Sequence, residues 1–114
     1  MSEHYKLVLL PEAQKDIRDI VIYIASNLAA PQAALEFQSK LEERIQSLNY
    51  QPKRFNTVDE QPWKDAGIRK TRVKNYYIYY LVDDNDKLVN VIAVIYTGRD
   101  QTKQMSERKM DNTK

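Results

Sequence analysis

Residues 67–100, GIRKTRVKNYYIYYLVDDNDKLVNVIAVIYTGRD, hold runs of β-branched and aromatic residues that read as three consecutive strands. The strands are expected at about 67–73, 75–82 and 87–97. The tip Asp83-Asp84-Asn85-Asp86 between the last two is a hairpin signal, because Asn and Asp tolerate the left-handed geometry such turns need. Gly98 closes the final strand. In that strand Val89, Val91, Ala93 and Ile95 alternate with Leu88, Ile92, Val94 and Tyr96. Apolar residues on both sides predict a central strand covered on each face.

The first half of the chain supplies what lies on that sheet. Residues 5–10, YKLVLL, fit a short strand ended by Pro11, which suits the first position of a helix. Ala13, Ile17, Ile20, Val21, Ile24 and Leu28 then make one apolar stripe, predicting a helix over 11–28. Pro31 restarts a second helix, about 31–49, whose stripe is Ala34, Phe37, Leu41, Ile45 and Leu48. Two stripes with a short break between them imply an antiparallel αα-hairpin. Neither stripe buries the other completely, so both need a sheet beneath them. The expected fold is α+β in the order β-α-α-β-β-β. It is an antiparallel twisted sheet with the hairpin on one face and the other face partly open. Residues 50–66, with Pro52, Pro62 and Trp63, read as a connecting loop, and 101–114 as a polar segment, at most a short frayed helix. At 114 residues, 1–114 is expected to be one domain.

Composition narrows the chemistry. The absence of cysteine excludes disulfides, thiolate metal sites and cysteine nucleophiles. No apolar leader follows Met1 and no run of 18 apolar residues occurs, so a cytoplasmic protein that does not span a membrane is expected. Phosphate-binding glycine loops, nucleophile elbows and paired metal-ligand motifs are all missing. The one histidine, His4, has no partner in sequence for a metal or general-base role. No cofactor and no metal are expected. The acids of the helices, including Glu12, Asp16, Asp19, Glu36, Glu42 and Glu43, are assigned to solvent faces.

Charge is distributed unevenly. The net value is only +2, but residues 1–50 carry −2 and residues 51–114 carry +4. Between positions 64 and 75, Lys64, Arg69, Lys70, Arg72 and Lys74 face the single acid Asp65. Tyr76, Tyr77, Tyr79 and Tyr80 follow, and Arg99 lies just past the last strand. Two readings are open for the basic strand. Lysines blunt exposed strand edges against aggregation. Alternatively, Arg69, Lys70, Arg72, Lys74, Tyr77, Tyr79 and Arg99 form a target-binding surface, since cations and tyrosines together suit phosphate and bases, or an acidic protein that competes with them. Of the alternating sets Tyr76, Ile78, Tyr80, Val82 and Tyr77, Tyr79, Leu81, one is core.

The helix opening LLPEAQKDIRDIVIYI, the αα-hairpin, the strand NYYIYYLV and the strand VIAVIYTGRD together resemble the RelE/ParE superfamily of bacterial toxins, the toxic halves of type II toxin–antitoxin pairs, often described as plasmid stabilisation proteins. The resemblance spans about residues 5–105 and implies the same β-α-α-β-β-β fold. It implies one of two activities. ParE-like members inhibit DNA gyrase by binding it. RelE-like members act on the ribosome as metal-independent mRNA endoribonucleases, in which case Lys70, Arg72 and Arg99 match the phosphate-clamping positions. The ribosome-dependent pattern has an arginine where Tyr77 stands here. Its terminal tyrosine or histidine is absent too, with Met105 near that place. The NYYIYY and VIAVIYTGRD strands look more ParE-like, although Thr97 replaces the histidine common before GRD. A degenerate toxin that acts only through its partner is the remaining alternative. The resemblance also implies a cognate antitoxin in a hetero-oligomer. An open basic sheet face beside an apolar hairpin would dock an acidic, disordered tail that folds on binding.

Overall fold

Pro11 at the first position of α1 (Pro11–Ile22) has no N–H to leave unpaired, and Glu12 follows in the first turn, where a carboxylate suits the helix dipole. The computed structural model describes residues 4–107. β1 (Lys6–Leu9) precedes α1, and the helix continues as a π-helical turn over Tyr23–Asn27. Ala29, at φ 50, makes the break before α2 (Pro31–Ser47). Then follow a short 3₁₀ turn at Pro52–Arg54, β2 (Arg69–Val73), β3 (Tyr76–Asp83), β4 (Leu88–Tyr96) and α3 (Gln101–Ser106). The described part of the predicted C-terminal helix is therefore 101–106, and residues beyond 107 lie outside the described chain.

The sheet order is β1-β4-β3-β2. β2, β3 and β4 are antiparallel neighbours, as the sequence predicts, whereas β1 runs parallel to β4. The crossover explains the exception. The chain leaves β1 through the helical hairpin, starts again at the far edge as β2 and returns through two reversals, so β4 arrives beside β1 in the same direction.

Ala13, Phe37, Leu41, Ile45 and Leu48 bury the two helical stripes against Val73, Ile78, Tyr80, Val89, Val91 and Val94. Leu28 is the exception to its stripe. It lies beyond the π-helical turn and is 55% exposed.

A β-bulge alters the expected alternation of β4. Tyr79 pairs with Ala93 but Tyr80 pairs with Val91, so Ile92 is an extra residue on β4. Val89 and Val91 face the helices together with Val94, while Ile92, Ala93 and Ile95 face the opposite side. Strict alternation would have kept Val91, Ala93 and Ile95 together. Asp16 is also not on a solvent face, as expected from sequence. It is half-buried, and its Oδ2 accepts the Val94 N–H at 3.0 Å. β1 pairs with β4 only as far as Leu9 opposite Val91, so the Val94 amide needs a partner from another element.

Tyr80 ties this core to the connecting loop. Its hydroxyl is buried and donates to the Pro52 carbonyl at 2.6 Å. Burial first, against the opposing charges of Arg69 and Arg54, pushes its pKa up to about 12. The unfolded chain ionises near 10, so this contribution is complete below pH 10 and is lost as pH rises from 10 to 12. The expected loss is about 2–3 kcal/mol of unfolding free energy across that window. Denaturant titrations at a series of pH values should show it. Tyr80→Phe should lessen the slope, the raised Tyr79 phenol supplying the remainder, and cost about 1–3 kcal/mol at neutral pH, because the Pro52 carbonyl is left buried without its donor.

Candidate functional site

Pairing of β2 with β3 sets the site's geometry. Arg72 lies opposite Tyr77 and Lys70 opposite Tyr79, so all four share the face turned away from the helices. Lys70 Nζ stands 4.2 Å from the centre of the Tyr77 ring, a cation–π contact that fixes the ammonium over the sheet. The Tyr77 and Tyr79 rings meet edge to face at 6.1 Å. Arg72 is exposed, and its Nε donates to the Lys74 carbonyl at 2.8 Å. Lys74 is exposed in the β2–β3 turn, at φ 53.

The face is less open than the sequence suggests. Val58 and Trp63 of the connecting loop and Met105 of α3 pack against Ile68, Tyr79, Ile92, Ala93 and Ile95 in a second core. The apolar residues that alternation places on this side explain the cover, since they need burial as much as those facing the helices. Tyr79 is only 2% exposed, so it lies beneath the basic face as part of the core rather than at the surface. Its hydroxyl donates to Gln101 Oε1 at 2.7 Å. Burial, then the nearby Glu60 and Tyr77, raises its pKa well above the ordinary phenol value and keeps it protonated. A shallow pocket over this phenol is lined by Val58, Glu60, Trp63, Gln101 and Met105.

Arg69 departs from the predicted set. It faces the helix side, where its Nη1 donates to the carbonyls of Phe55 at 2.6 Å and Lys53 at 3.2 Å. Alternation had already separated it from Lys70 and Arg72, and the loop now engages its guanidinium.

Arg99 is exposed in the turn between β4 and α3. The Thr97 N–H bonds the Asn75 carbonyl at 2.9 Å, so this turn and the β2–β3 turn share one end of the sheet. Gly98 allows the Tyr96 ring to fold directly over the turn, where a Cβ would collide with it. Arg99 acts electrostatically on Tyr76, whose pKa is nevertheless raised, chiefly by burial and then by Tyr96 and Tyr23. The Tyr76 ring lies 4.9 Å from Phe37 and 5.7 Å from Tyr96.

The structure thus gathers Lys70, Arg72 and Tyr77 on one face, with Lys74 and Arg99 at its end. His4 bridges Tyr50 at the opposite end of the sheet, where β1 begins. The packing of Met105 into the second core and the bond of Gln101 to Tyr79 escaped the sequence reading, because a polar segment of six helical residues gives little periodicity. Trp63, the chain's single tryptophan, was the available signal that the loop contributes to a core.

The family pattern for the ParE toxin of the type II toxin–antitoxin system parDE matches residues 7–101. The chain belongs to this toxin family. Solved structures share its fold. A chromosomal ParDE system from P. aeruginosa superposes with a TM-score of 0.66 at 16% identity, covering 82% of this chain and 96% of that one. A mutant E. coli RelE toxin in the free state gives 0.60 at 18% identity, over 89% and 92%. The RelBE2 toxin–antitoxin complex of Mycobacterium tuberculosis gives 0.59 at 17%, over 82% and 92%. Comparison with curated proteins returns no match. Among the described residues no helix is long and apolar enough to cross a membrane.

Proposed function

We propose that this toxin arrests growth by binding DNA gyrase, with Lys70, Arg72, Lys74, Tyr77 and Arg99 as its contact surface, and that an acidic cognate antitoxin silences it. The observation that carries the reading is the make-up of the basic face. Cations and an aromatic ring are held in place there, while two candidate proton-transfer groups, His4 and Tyr79, stand away from them or are already engaged. His4 is at the other end of the sheet, and the Tyr79 phenol is buried and already donates to Gln101. Ribose-directed cleavage needs a group that moves a proton as well as cations that hold phosphate. Binding needs only the cations and the ring. The match to the ParE pattern supports the same preference.

Induction of the toxin in a bacterial host, following transcript ends and the DNA-damage response together, tests the proposal. Filamentation and a damage response with intact transcripts are expected. Translation-dependent mRNA cuts without DNA damage would instead establish a RelE-like nuclease. Normal growth would leave the degenerate toxin in front.

An acidic antitoxin would be steered by the positive half of the chain. Its association rate is expected to fall about tenfold or more between low and physiological salt, with a smaller change in dissociation. Stopped-flow mixing at several ionic strengths measures this, and a salt-independent rate would contradict it.

A further inference from the structure

Away from the basic face, three arginines from three parts of the fold meet at one residue. The guanidinium carbon of Arg54 lies 4.7 Å from the centre of the Phe55 ring, and that of Arg44 in α2 lies 5.6 Å from it. Arg69 of β2 reaches the same residue through the Phe55 carbonyl. All three are fixed by neutral groups. Arg44 Nη1 donates to Thr71 Oγ1 at 2.6 Å and to the Arg72 carbonyl at 3.0 Å. Arg54 donates to the carbonyls of Ser47, Tyr50 and Gln51 and to the Ser47 hydroxyl. The ion pairs found among the described residues, Lys15–Asp19 and Lys53–Asp84, involve none of the three.

Three cations around one phenylalanine repel one another, and α2's C-terminal carbonyls, with Arg44 in the last turn and Arg54 bonded to the Ser47 carbonyl, offset that charge only in part. Each guanidinium has five N–H donors in a fork that matches a carboxylate, and the bonds above leave donors on Arg44 and Arg69 unused. Fixing the forks in advance lowers the entropy lost when an anion arrives.

We propose that the Arg44–Arg54–Arg69 cluster around Phe55 is a binding site for side-chain carboxylates of an acidic peptide segment. Arg44, Arg69 and Phe55 are half-buried and Arg54 is exposed, so the guanidinium groups stand against an apolar wall and within reach of solvent. A carboxylate on a side chain can reach them there. A nucleic-acid backbone favours a run of exposed cations, which the Lys70–Arg72–Lys74 strand provides instead. The assignment rests on the reading of the chain as a toxin held by an acidic partner. It adds a second contact to that reading, on the other side of β2.

The test is a titration of the unsubstituted, isotope-labelled protein with oligoglutamate, following arginine Nε–H resonances by NMR. Those of Arg44, Arg54 and Arg69 should shift together and saturate, while that of Arg18, exposed on α1, moves little. Arg44→Gln with Arg54→Gln should weaken the binding about tenfold or more, and Arg18→Gln, on the exposed side of α1, should leave it unchanged. If the double glutamine variant fails to fold, Arg44→Lys, which keeps the charge and loses the fork, should weaken it alone. Shifts no larger than that of Arg18 would overturn the site. An oligouridylate that displaces oligoglutamate at equal charge would overturn the peptide assignment in favour of a phosphate site. No gyrase measurement bears on these outcomes, so the site and the proposed activity stand or fall separately.

Discussion

Alanine at both Lys70 and Arg72 is expected to abolish growth arrest while leaving the fold intact. Arg72 is exposed on the outer face of β2, and its side chain donates to a backbone carbonyl two residues away. Lys70 contributes its contact with Tyr77, worth about 0.5–1 kcal/mol at such a site. Removing both should therefore change unfolding free energy by roughly 1 kcal/mol or less. The effect on target affinity is far larger, because a central interface cation can account for about 2 kcal/mol or more. Two such losses amount to roughly a thousandfold in affinity. Growth curves after induction, with thermal unfolding of the purified variant, measure both quantities. Arrest that persists with the fold intact would remove this face from the target interface.

Trp63→Ala should have the largest effect on stability. The indole is 8% exposed and packs with Val58, Ile68, Tyr79 and Met105, joining the loop and α3 to the underside of the sheet. Truncating a buried tryptophan costs about 3–5 kcal/mol through lost burial and the cavity left behind. In a domain of this size that lowers the thermal midpoint by roughly 10–20 °C, measurable by circular dichroism. The Tyr79 phenol should also become more accessible and ionise at lower pH, since burial is the main cause of its raised pKa. A midpoint close to that of the parent would mean that the second core carries little of the fold's stability.

Much of this architecture is legible in the sequence because period and length are local signals. Phe37, Leu41, Ile45 and Leu48 recur at helical spacing and all are buried. The hairpin between β3 and β4 forms as read, but its turn falls at 84–87, one residue later, and Lys87 rather than an Asn or Asp takes the left-handed geometry. What escapes the sequence depends on contacts between distant segments. Nothing local marks Ile92 as a bulge, because its run is apolar on both sides, and that one residue reverses the facing of the rest of β4. The covering of the second face by Val58, Trp63 and Met105 depends on where a loop and a short helix come to rest. The same holds for Asp16, whose spacing reads as solvent-facing until β1 stops short of Val94. For the site, alternation alone separated Arg69 from Lys70 and Arg72. The engagement of Arg69 by loop carbonyls required the folded loop.

The most direct measurement of the central claim is binding of the purified toxin to purified gyrase, at low and physiological salt, with the Lys70→Ala/Arg72→Ala variant alongside. The account predicts binding that weakens with salt, inhibition of supercoiling at matching concentrations, and loss of both in the variant. Absence of binding by the parent protein, with cleavage of mRNA on translating ribosomes under the same conditions, would contradict it.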